Sequence, residues 1–270
     1  MQQFDVIISG AGIVGATLAC ALGRKGVRVA LLEATEPPVI DERQREARVY
    51  AISRASERIL TALSVWGELA ASGHPFRRMH VWDAGGSGEI DFDCARIGEP
   101  HLGHMLEPRQ IRAALLRGVE ALPDISLLCP ARFSDIRVAG EQAEVLLEDG
   151  RELTAGLVVG ADGARSPVRE WFRMPAGVHD YHQCSLVAAV RTARHHDDSA
   201  WQRFLPGGPL AFLPMDDGWS SIVWTMPDAE IHAVLALDND DFHRALGEAF
   251  DYRLGDIVES GPRESWPPVS

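Results

Sequence analysis

The chain has 270 residues, 46% of them hydrophobic, so it can fill a sizeable core in one large domain or two modest ones. Lysine and arginine number 26 against 39 for aspartate and glutamate, and the formal net charge of −13 repels a phosphate backbone, which argues against a nucleic-acid partner. The four cysteines are widely spaced without a CxxC pair, a pattern typical of reduced thiols in a cytoplasmic protein.

The first predicted elements are a strand, a glycine-rich turn, a helix and a second strand. Phe4 to Ser9 is a short apolar run, Ile13 to Lys25 has apolar residues at helical spacing, and Val27 to Leu32 reads as a second buried strand. The opening residues contain no basic region and only a short apolar run, so we expect neither a signal peptide nor a membrane anchor there.

Three glycines follow the first strand with the spacing GxGxxG. Gly10 permits a sharp turn, Gly12 lets a pyrophosphate approach the backbone, and Gly15 lets the helix pack against the strand. Glu33, at the tip of the next strand, would accept hydrogen bonds from adenosine ribose hydroxyls, and its charge disfavours a 2′-phosphate. The motif predicts dinucleotide binding and leaves NAD and FAD open, with a purely structural turn as the alternative.

A second glycine-containing turn occurs much later, in VVGADGARSPVR (Val158 to Arg169). The strand Leu157 to Gly160 brings Asp162 to a strand end, and Ser166 and Pro167 suit the start of a helix. An aspartate in such a turn can bind hydroxyl groups of a nucleotide cofactor, or it can simply cap the next helix.

Together the two turns resemble the class A flavoprotein monooxygenases, the p-hydroxybenzoate hydroxylase-like family. Three further segments are similar to its ubiquinone-biosynthesis branch: RVYAISRASERILTALSVWGELA (Arg48 to Ala70), HLGHMLEPRQIRAALL (His101 to Leu116) and WQRFLPGGPLAFLPMDDGWSSIVWTM (Trp201 to Met226). The resemblance runs over essentially the whole chain and implies that both strand tips hold the same FAD. It places these residues on flavin-binding positions: Gly10, Gly12, Gly15, Glu33, Arg48, Arg109 and Asp162.

The resemblance also implies an α/β fold, with a Rossmann-like FAD-binding domain of the GR2 type and an inserted, sheet-rich α+β substrate domain. The FAD-binding domain would take residues 1–72 and 99–178, and the substrate domain residues 73–98 and 179–264. Period-2 patterns support a sheet-rich insert. The strands LAFLP and SSIVWTM, joined by Asp216 to Gly218, predict a hairpin with an apolar face that could close a pocket for a flat ring.

The implied activity is that of an FAD-dependent monooxygenase that hydroxylates an aromatic ring with O2 and with NADPH or NADH as a transient co-substrate. The ubiquinone branch implies a polyprenylated phenol as substrate. Because such a tail is nearly insoluble, the enzyme would meet a membrane surface or proteins of a ubiquinone-biosynthesis complex, and the negative charge disfavours docking on anionic lipid. We therefore expect a cytoplasmic protein at the periphery of the inner membrane. No catalytic residue is assigned.

One departure from the family pattern concerns the C-terminal part. The family normally has a later GD motif, whose aspartate binds the flavin ribityl chain, and this sequence stops before it. We interpret the chain as a C-terminally truncated fragment that holds FAD weakly or not at all when isolated. Two alternatives stay open: a related flavin hydroxylase of a soluble aromatic compound, and a truncated, non-catalytic flavin-fold module.

Paired histidines raise the question of a metal site. His101 and His104 have the i, i+3 spacing that could present both side chains on one face of a helix. No third ligand lies at a fitting spacing, and the resemblance implies a metal-free site, so we predict that no metal binds there. The same prediction applies to two other pairs, His179/His182 and His195/His196.

Overall fold

The computed structural model describes residues 1–36, 46–177 and 179–266. The chain divides into two compact units, each built from three separate stretches. The first unit consists of Met1–Asp41, Arg58–Leu69 and Arg109–Gly177, and the second of Glu42–Glu57, Ala70–Pro108 and Val178–Ser270. The assignment of FAD binding and substrate binding to domains with the boundaries given above stays a prediction.

The helices of the described residues are α1 (Ile13–Gly23), α2 (Arg54–Ala62), α3 (Trp66–Ser72), α4 (Pro108–Glu120), α5 (Pro167–Trp171), α6 (Asp228–Leu235) and α7 (Asn239–Ala249). The strands are β1 (Gln2–Gln3), β2 (Val6–Ser9), β3 (Val29–Leu32), β4 (Tyr50–Ser53), β5 (His74–Phe76), β6 (Arg78–Asp83), β7 (Glu89–Asp93), β8 (Gly103–Leu106), β9 (Ile125–Leu128), β10 (Phe133–Ala139), β11 (Gln142–Leu147), β12 (Glu152–Ala155), β13 (Leu157–Gly160), β14 (Gln183–Thr192), β15 (Ser199–Leu205), β16 (Gly208–Pro214), β17 (Trp219–Pro227), β18 (Ile257–Ser260) and β19 (Glu264–Trp266). Within the ranges described, no helix combines the length and the apolar character that a membrane crossing requires.

The first unit contains a four-stranded parallel sheet in the order β13-β2-β3-β9. β2 and β3 are buried along their whole length, in agreement with sequences that are apolar except for Ser9 at the end of β2. α1 connects these two strands and forms the strand–helix–strand unit predicted from the sequence. The helix ends at Gly23 and the strand begins at Val29, because Gly26 turns the chain with a positive φ of 76°.

A second sheet of the first unit has the order β1-β12-β11-β10. Its last three strands form an antiparallel meander, and β1 joins β12 in parallel. β11 alternates exposed and buried residues, so that Val145 and Leu147 pack into a core with Ile7 and Leu153. The meander leads through β12 directly into β13 and the second glycine turn.

A large mixed sheet dominates the second unit. Its order is β18-β14-β17-β16-β15-β6-β7, and β19 also pairs with β14. On one face Leu186, Phe212 and Ile222 pack with Phe242 and Leu246 of α7. β16 and β17 are antiparallel neighbours, which confirms the predicted hairpin. β6 and β7 also pair in antiparallel fashion, in keeping with the sheet-rich α+β character of this part.

A smaller sheet, β4-β8-β5, completes the second unit. All of its pairings are antiparallel. Val49, Phe76 and Met105 from this region pack with Ala200 and Met215 from the strands and turns of the large sheet. The small sheet is therefore held against the large one by an apolar core of its own.

Candidate cofactor site

The first glycine turn leaves β2 and enters α1 with almost no free space around two of its glycines. Gly10 has a φ of +103°, and a methyl group there would lie 2.5 Å from the carbonyl oxygen of Ala161. A methyl group on Gly15 would lie 1.9 Å from the carbonyl oxygen of Gly10. Around Gly12, in contrast, a methyl group would meet nothing within 4 Å. The turn thus packs tightly at both ends and is open in the middle.

The open middle of the turn is the N-terminus of α1. Gly12 is the N-cap residue, no side chain caps the helix, and its first turn contains no acidic residue. The first N–H groups of a helix have no partners within the helix, and they carry a partial positive charge. This end of α1 therefore presents donors suited to a phosphate group.

The second glycine turn lies beside the first. β13 runs parallel to β2 with Gly160 opposite Ser9, so both turns leave the same edge of one sheet. The amide of Ala161 donates to the carbonyl of Ser9 (2.8 Å), and a methyl group on Gly10 would lie 2.9 Å from the Cα of Asp162. The two strand tips are thus in direct contact within the first unit, although Ser9 and Asp162 are 153 positions apart in the sequence.

Asp162 uses only part of its hydrogen-bonding capacity. Its Oδ2 accepts from the amide of Val168 (3.0 Å) and lies 3.5 Å from the hydroxyl of Ser9. Ser166 caps α5 by accepting from the amide of Arg169 (3.0 Å), with Pro167 at the first helical position, as the sequence predicts. The Oδ1 of Asp162 is buried, and no described residue hydrogen-bonds to it. Such an acceptor is suited to an outside donor.

Glu33 follows β3 at the same sheet edge and points to the first turn. Its Oε2 accepts from the amide of Ala11 (3.1 Å) and from Nη2 of Arg112 (2.9 Å), and its Oε1 accepts from the amide of Thr35 (3.3 Å). The Nε of Arg112 donates to the carbonyl of Ala11 (3.3 Å). Sequence reasoning missed Arg112, although it lies one helical turn after Arg109 in a segment that resembles the flavoprotein family.

Residues 3–250, which include all of these turns, match the model of a family described as FAD binding domain. The chain belongs to the FAD binding domain family. This membership confirms the family resemblance drawn from the sequence and FAD as the expected cofactor.

Curated relatives extend the match to whole proteins. Ubiquinone hydroxylase UbiL of Rhodospirillum rubrum is 37% identical over 262 residues, which cover 97% of this chain and 61% of the relative. The 3-demethoxyubiquinol 3-hydroxylase of Escherichia coli is 34% identical over 259 residues, which cover 95% of this chain and 66% of the relative. The chain thus spans less than two thirds of the length of either protein.

The solved structure of PqsL, a probable FAD-dependent monooxygenase from Pseudomonas aeruginosa, has the same fold. The two chains superpose with a TM-score of 0.77 at 23% sequence identity, and the match covers 97% of this chain and 73% of PqsL. At this level of identity the likeness concerns the fold alone. It confirms the predicted α/β fold class.

The residues at the sheet edge fit FAD. The open space at Gly12 and the uncapped end of α1 suit a pyrophosphate, because no side chain blocks the approach to the backbone amides. Glu33 presents carboxylate oxygens for a ribose, and the buried Oδ1 of Asp162 is an acceptor for a further hydroxyl group. Two observations therefore agree with the family assignment. The space around Gly12 is free of side chains, and the Oδ1 of Asp162 is a buried acceptor without a partner among the described residues.

The two arginines predicted to hold the flavin fall in different units. Arg109 is the second residue of α4 in the first unit, and its side chain is half-buried. Arg48 belongs to the second unit, where its guanidinium carbon lies 5.0 Å from the ring centroids of both Tyr50 and Trp266. The flavin roles of both arginines stay predictions.

His101 and His104 meet in space, although not on a helix. His104 lies in β8, and the two rings are 4.3 Å apart beside Glu57. The Nε2 of His101 is 2.8 Å from Oε2 of Glu57 and 2.9 Å from Nη1 of Arg54, whose guanidinium also pairs with Glu57 and Glu99. Burial pushes the pKa of Glu57 up, but hydrogen bonds from Arg54 and His101 hold it below its ordinary value. The expectation that no third ligand is available was wrong, because ligand atoms of Glu57, His101 and His104 lie within 4.8 Å of one another. The nearby Arg54 guanidinium adds a positive charge that disfavours a cation, and the absence of a metal stays a prediction.

A second histidine group surrounds His74 in the same unit. Its Nδ1 is 2.9 Å from Asp216 and its Nε2 is 3.0 Å from Asp198. The neighbouring His196 is 1% exposed, and both of its ring nitrogens are used: Nε2 donates to the carbonyl of Met215 (3.0 Å) and Nδ1 accepts from the amide of Asp198 (3.2 Å). Burial, with the nearby His195, lowers the pKa of His196 to about 4. Burial therefore keeps His196 neutral, and its two hydrogen bonds fix the orientation of the ring.

Proposed function

We propose that this chain forms the FAD-binding and substrate-binding part of an aromatic-ring hydroxylase that uses NAD(P)H and O2 and acts on a polyprenylated phenol in ubiquinone biosynthesis. The observation that carries the proposal is the contact between the Gly10 turn and the Asp162 turn in a chain of the FAD binding domain family. The names of the two relatives, ubiquinone hydroxylase and 3-demethoxyubiquinol 3-hydroxylase, support the reaction type and the substrate class.

In this proposal the residues of the first unit bind and orient the cofactor. Gly10, Gly12 and Gly15 admit the pyrophosphate to the N-terminus of α1, and Glu33 accepts hydrogen bonds from the adenosine ribose. The Oδ1 of Asp162 accepts a hydrogen bond from a hydroxyl of the ribityl or pyrophosphate side. Bound FAD supplies the redox chemistry that places one oxygen atom of O2 on the ring, with electrons from NADPH or NADH.

Arg109, in the first unit, is proposed to complete the flavin site, and the flavin role of Arg48 stays a prediction from the sequence. A guanidinium presents paired N–H donors and remains charged at every relevant pH, which suits it to a pyrophosphate. Arg48 makes cation–π contacts with Tyr50 and with Trp266, and these contacts restrain its side chain.

The second unit is proposed to bind the ring of the substrate. On the sheet face opposite α7, Val187, Val223 and Ala211 lie side by side on β14, β17 and β16. Small and apolar side chains in a flat array suit an aromatic ring, and they exclude water from the reaction. The more apolar face of the predicted hairpin, with Leu210, Phe212 and Ile222, packs against α7 instead, so the proposed ring-binding surface is the opposite face of the sheet.

The substrate class also bears on where the protein works. A polyprenyl tail brings the enzyme to the periphery of the inner membrane, while the net charge of −13 opposes direct docking on anionic lipid. We therefore propose a cytoplasmic protein that receives its substrate beside other proteins of ubiquinone biosynthesis.

The first test is cofactor binding and turnover. The protein, in the full length that its gene encodes, is titrated with FAD while the quenching of flavin fluorescence is followed. We expect saturable binding and oxidation of NADPH or NADH in the presence of a prenylated phenol. Absence of FAD binding would refute the proposal, and FAD binding without NAD(P)H oxidation for any aromatic compound would favour the non-catalytic module.

The second test separates the substrate classes. Quinones are extracted from a strain that lacks the gene and from the same strain complemented with it. We expect the deletion strain to accumulate a prenylated phenol that lacks one hydroxyl group. An unchanged quinone profile, together with hydroxylation of a soluble aromatic compound by the purified protein, would favour the alternative hydroxylase.

A further inference from the structure

We infer that Arg112 is a positioning residue, which holds the Glu33 carboxylate in the orientation that the adenosine ribose of FAD requires. This inference rests on the proposed role of Glu33 in FAD binding and extends it to a residue outside the glycine motif. Arg112 was not recognised from the sequence, because 79 positions separate it from Glu33.

The contacts of Arg112 tie together two parts of the site. Its Nη2 donates to Oε2 of Glu33 (2.9 Å), and its Nε donates to the carbonyl of Ala11 (3.3 Å) in the glycine turn. The amide of Ala11 donates to the same Oε2 (3.1 Å). The guanidinium and the Ala11 amide thus both donate to one carboxylate oxygen. A rotation of the Glu33 side chain or a shift of the Ala11 backbone would break at least one of these hydrogen bonds.

The burial of the pair makes this contact strong. The side chains of Arg112 and Glu33 are 27% and 15% exposed, so solvent screens the charges less than at the surface. Charge-assisted hydrogen bonds are about twice as strong as those between neutral groups. The other oxygen of Glu33 receives only the amide of Thr35 at 3.3 Å among the described residues, which leaves acceptor capacity for ribose hydroxyls.

Arg112 also solves an electrostatic conflict at the site. Glu33 accepts a hydrogen bond from the amide of Ala11, which belongs to the glycine turn. Because that turn is proposed to receive the pyrophosphate, a carboxylate and a diphosphate would lie close together. Two anions at short range repel each other unless a cation lies nearby. The guanidinium of Arg112 supplies that cation and offsets the repulsion, while Glu33 keeps its oxygens as acceptors.

The same helix offers a matched control. Arg117 of α4 forms an ion pair with Glu68 in the first unit, and both of those side chains are more than half exposed. Arg117→Gln therefore removes a guanidinium from α4 and breaks an arginine–glutamate pair, as Arg112→Gln does, without touching the glycine turn. Any loss common to both variants reflects α4 itself rather than the cofactor site.

The test measures ADP and 2′,3′-dideoxy-ADP binding to the full-length protein by calorimetry. We expect wild type and Arg117→Gln to prefer ADP by about tenfold, the value of one good hydrogen bond to a charged group. Arg112→Gln should bind ADP about tenfold more weakly and lose most of this preference, and Arg112→Lys should lie between. If Arg112→Gln weakens both ligands equally and retains the preference for the ribose hydroxyls, Arg112 does not act through Glu33.

A double-mutant cycle on FAD affinity gives an independent readout. Arg112→Gln should weaken FAD binding about tenfold in wild type but by less than about threefold in the Glu33→Gln background, because the carboxylate to be positioned is absent. Additive effects would overturn the inference and leave the proposed function intact. A wild-type protein that binds neither FAD nor ADP would overturn the proposed function and this inference together.

Discussion

Gly12 and Gly15 lie three residues apart in one motif, and the structure predicts opposite consequences for the same substitution. In Gly15→Ala the new methyl group would lie 1.9 Å from the carbonyl oxygen of Gly10 and 3.2 Å from Cβ of Ala161. The turn and α1 would have to separate by roughly 1.5 Å to restore ordinary contact, within a densely packed region. We expect a loss of about 3 kcal/mol or more in the free energy of unfolding.

Gly12→Ala should leave stability nearly unchanged. Gly12 has φ −72° and ψ −176°, a conformation that alanine adopts freely, and the methyl group meets nothing within 4 Å. A small cost for alanine at an N-cap and a small gain from a stiffer unfolded chain nearly cancel, so we expect a change of about 0.5 kcal/mol or less. The methyl group would, however, stand in the space proposed for the pyrophosphate, and FAD affinity should fall about tenfold or more.

Urea unfolding of the two variants without FAD, followed by FAD titration of whichever variant folds, separates these effects. Wild type measured in parallel gives the reference midpoint and slope. The reasoning is refuted if Gly12→Ala is as unstable as Gly15→Ala, or if Gly12→Ala binds FAD as tightly as wild type. The first outcome would contradict the open space around Gly12, and the second would contradict the place assigned to the pyrophosphate.

Three further predictions concern side chains. Asp162→Ala removes the acceptor of the Val168 amide and should cost about 1 kcal/mol in urea unfolding, whereas Asp162→Asn keeps an oxygen there and should cost less; equal losses would contradict the capping role. Because the pKa of His196 falls to about 4 on folding, the unfolded chain binds its proton more readily, so stability should decrease from pH 6.5 to pH 4 by on the order of 3 kcal/mol. His196→Gln should remove that part of the acid sensitivity in parallel unfolding curves, and an unchanged curve would refute the assignment. Arg54→Gln should raise the pKa of Glu57, which an NMR titration of the carboxyl carbon can measure. The stability that the ionised carboxylate provides would then be lost at a higher pH during acidification. An unchanged pKa would show that other groups control the ionisation of Glu57.

The local elements of the cofactor site are accessible from the sequence because each depends on neighbouring residues. The apolar runs of β2 and β3, the glycine spacing of the first turn and the Ser166-Pro167 start of α5 are all encoded within a few positions. The resemblance to flavoprotein monooxygenases links the two turns through their motifs alone. The family match over residues 3–250 agrees with that interpretation.

Contacts between residues that are distant in the sequence could not be predicted from local patterns. The i, i+3 spacing of His101 and His104 suggests neighbours on a helix, but β8 is a strand and the pair meets Arg54 and Glu57 instead. Arg109 and Arg112 are both plausible anion ligands in the sequence, and nothing local distinguishes them. Only the packing of α4 selects Arg112 as the partner of Glu33.

The sequence by itself determined where the chain turns, which strand tips carry Gly10 and Asp162, and to which family the fold belongs. The tertiary structure decided that these tips touch, that Asp162 keeps one buried oxygen without a partner among the described residues, and that Arg112 pairs with Glu33. The physical reason is range: glycine conformations and apolar periodicity act over a few residues of chain, whereas ion pairs and close contacts depend on which distant surfaces the packed core brings together.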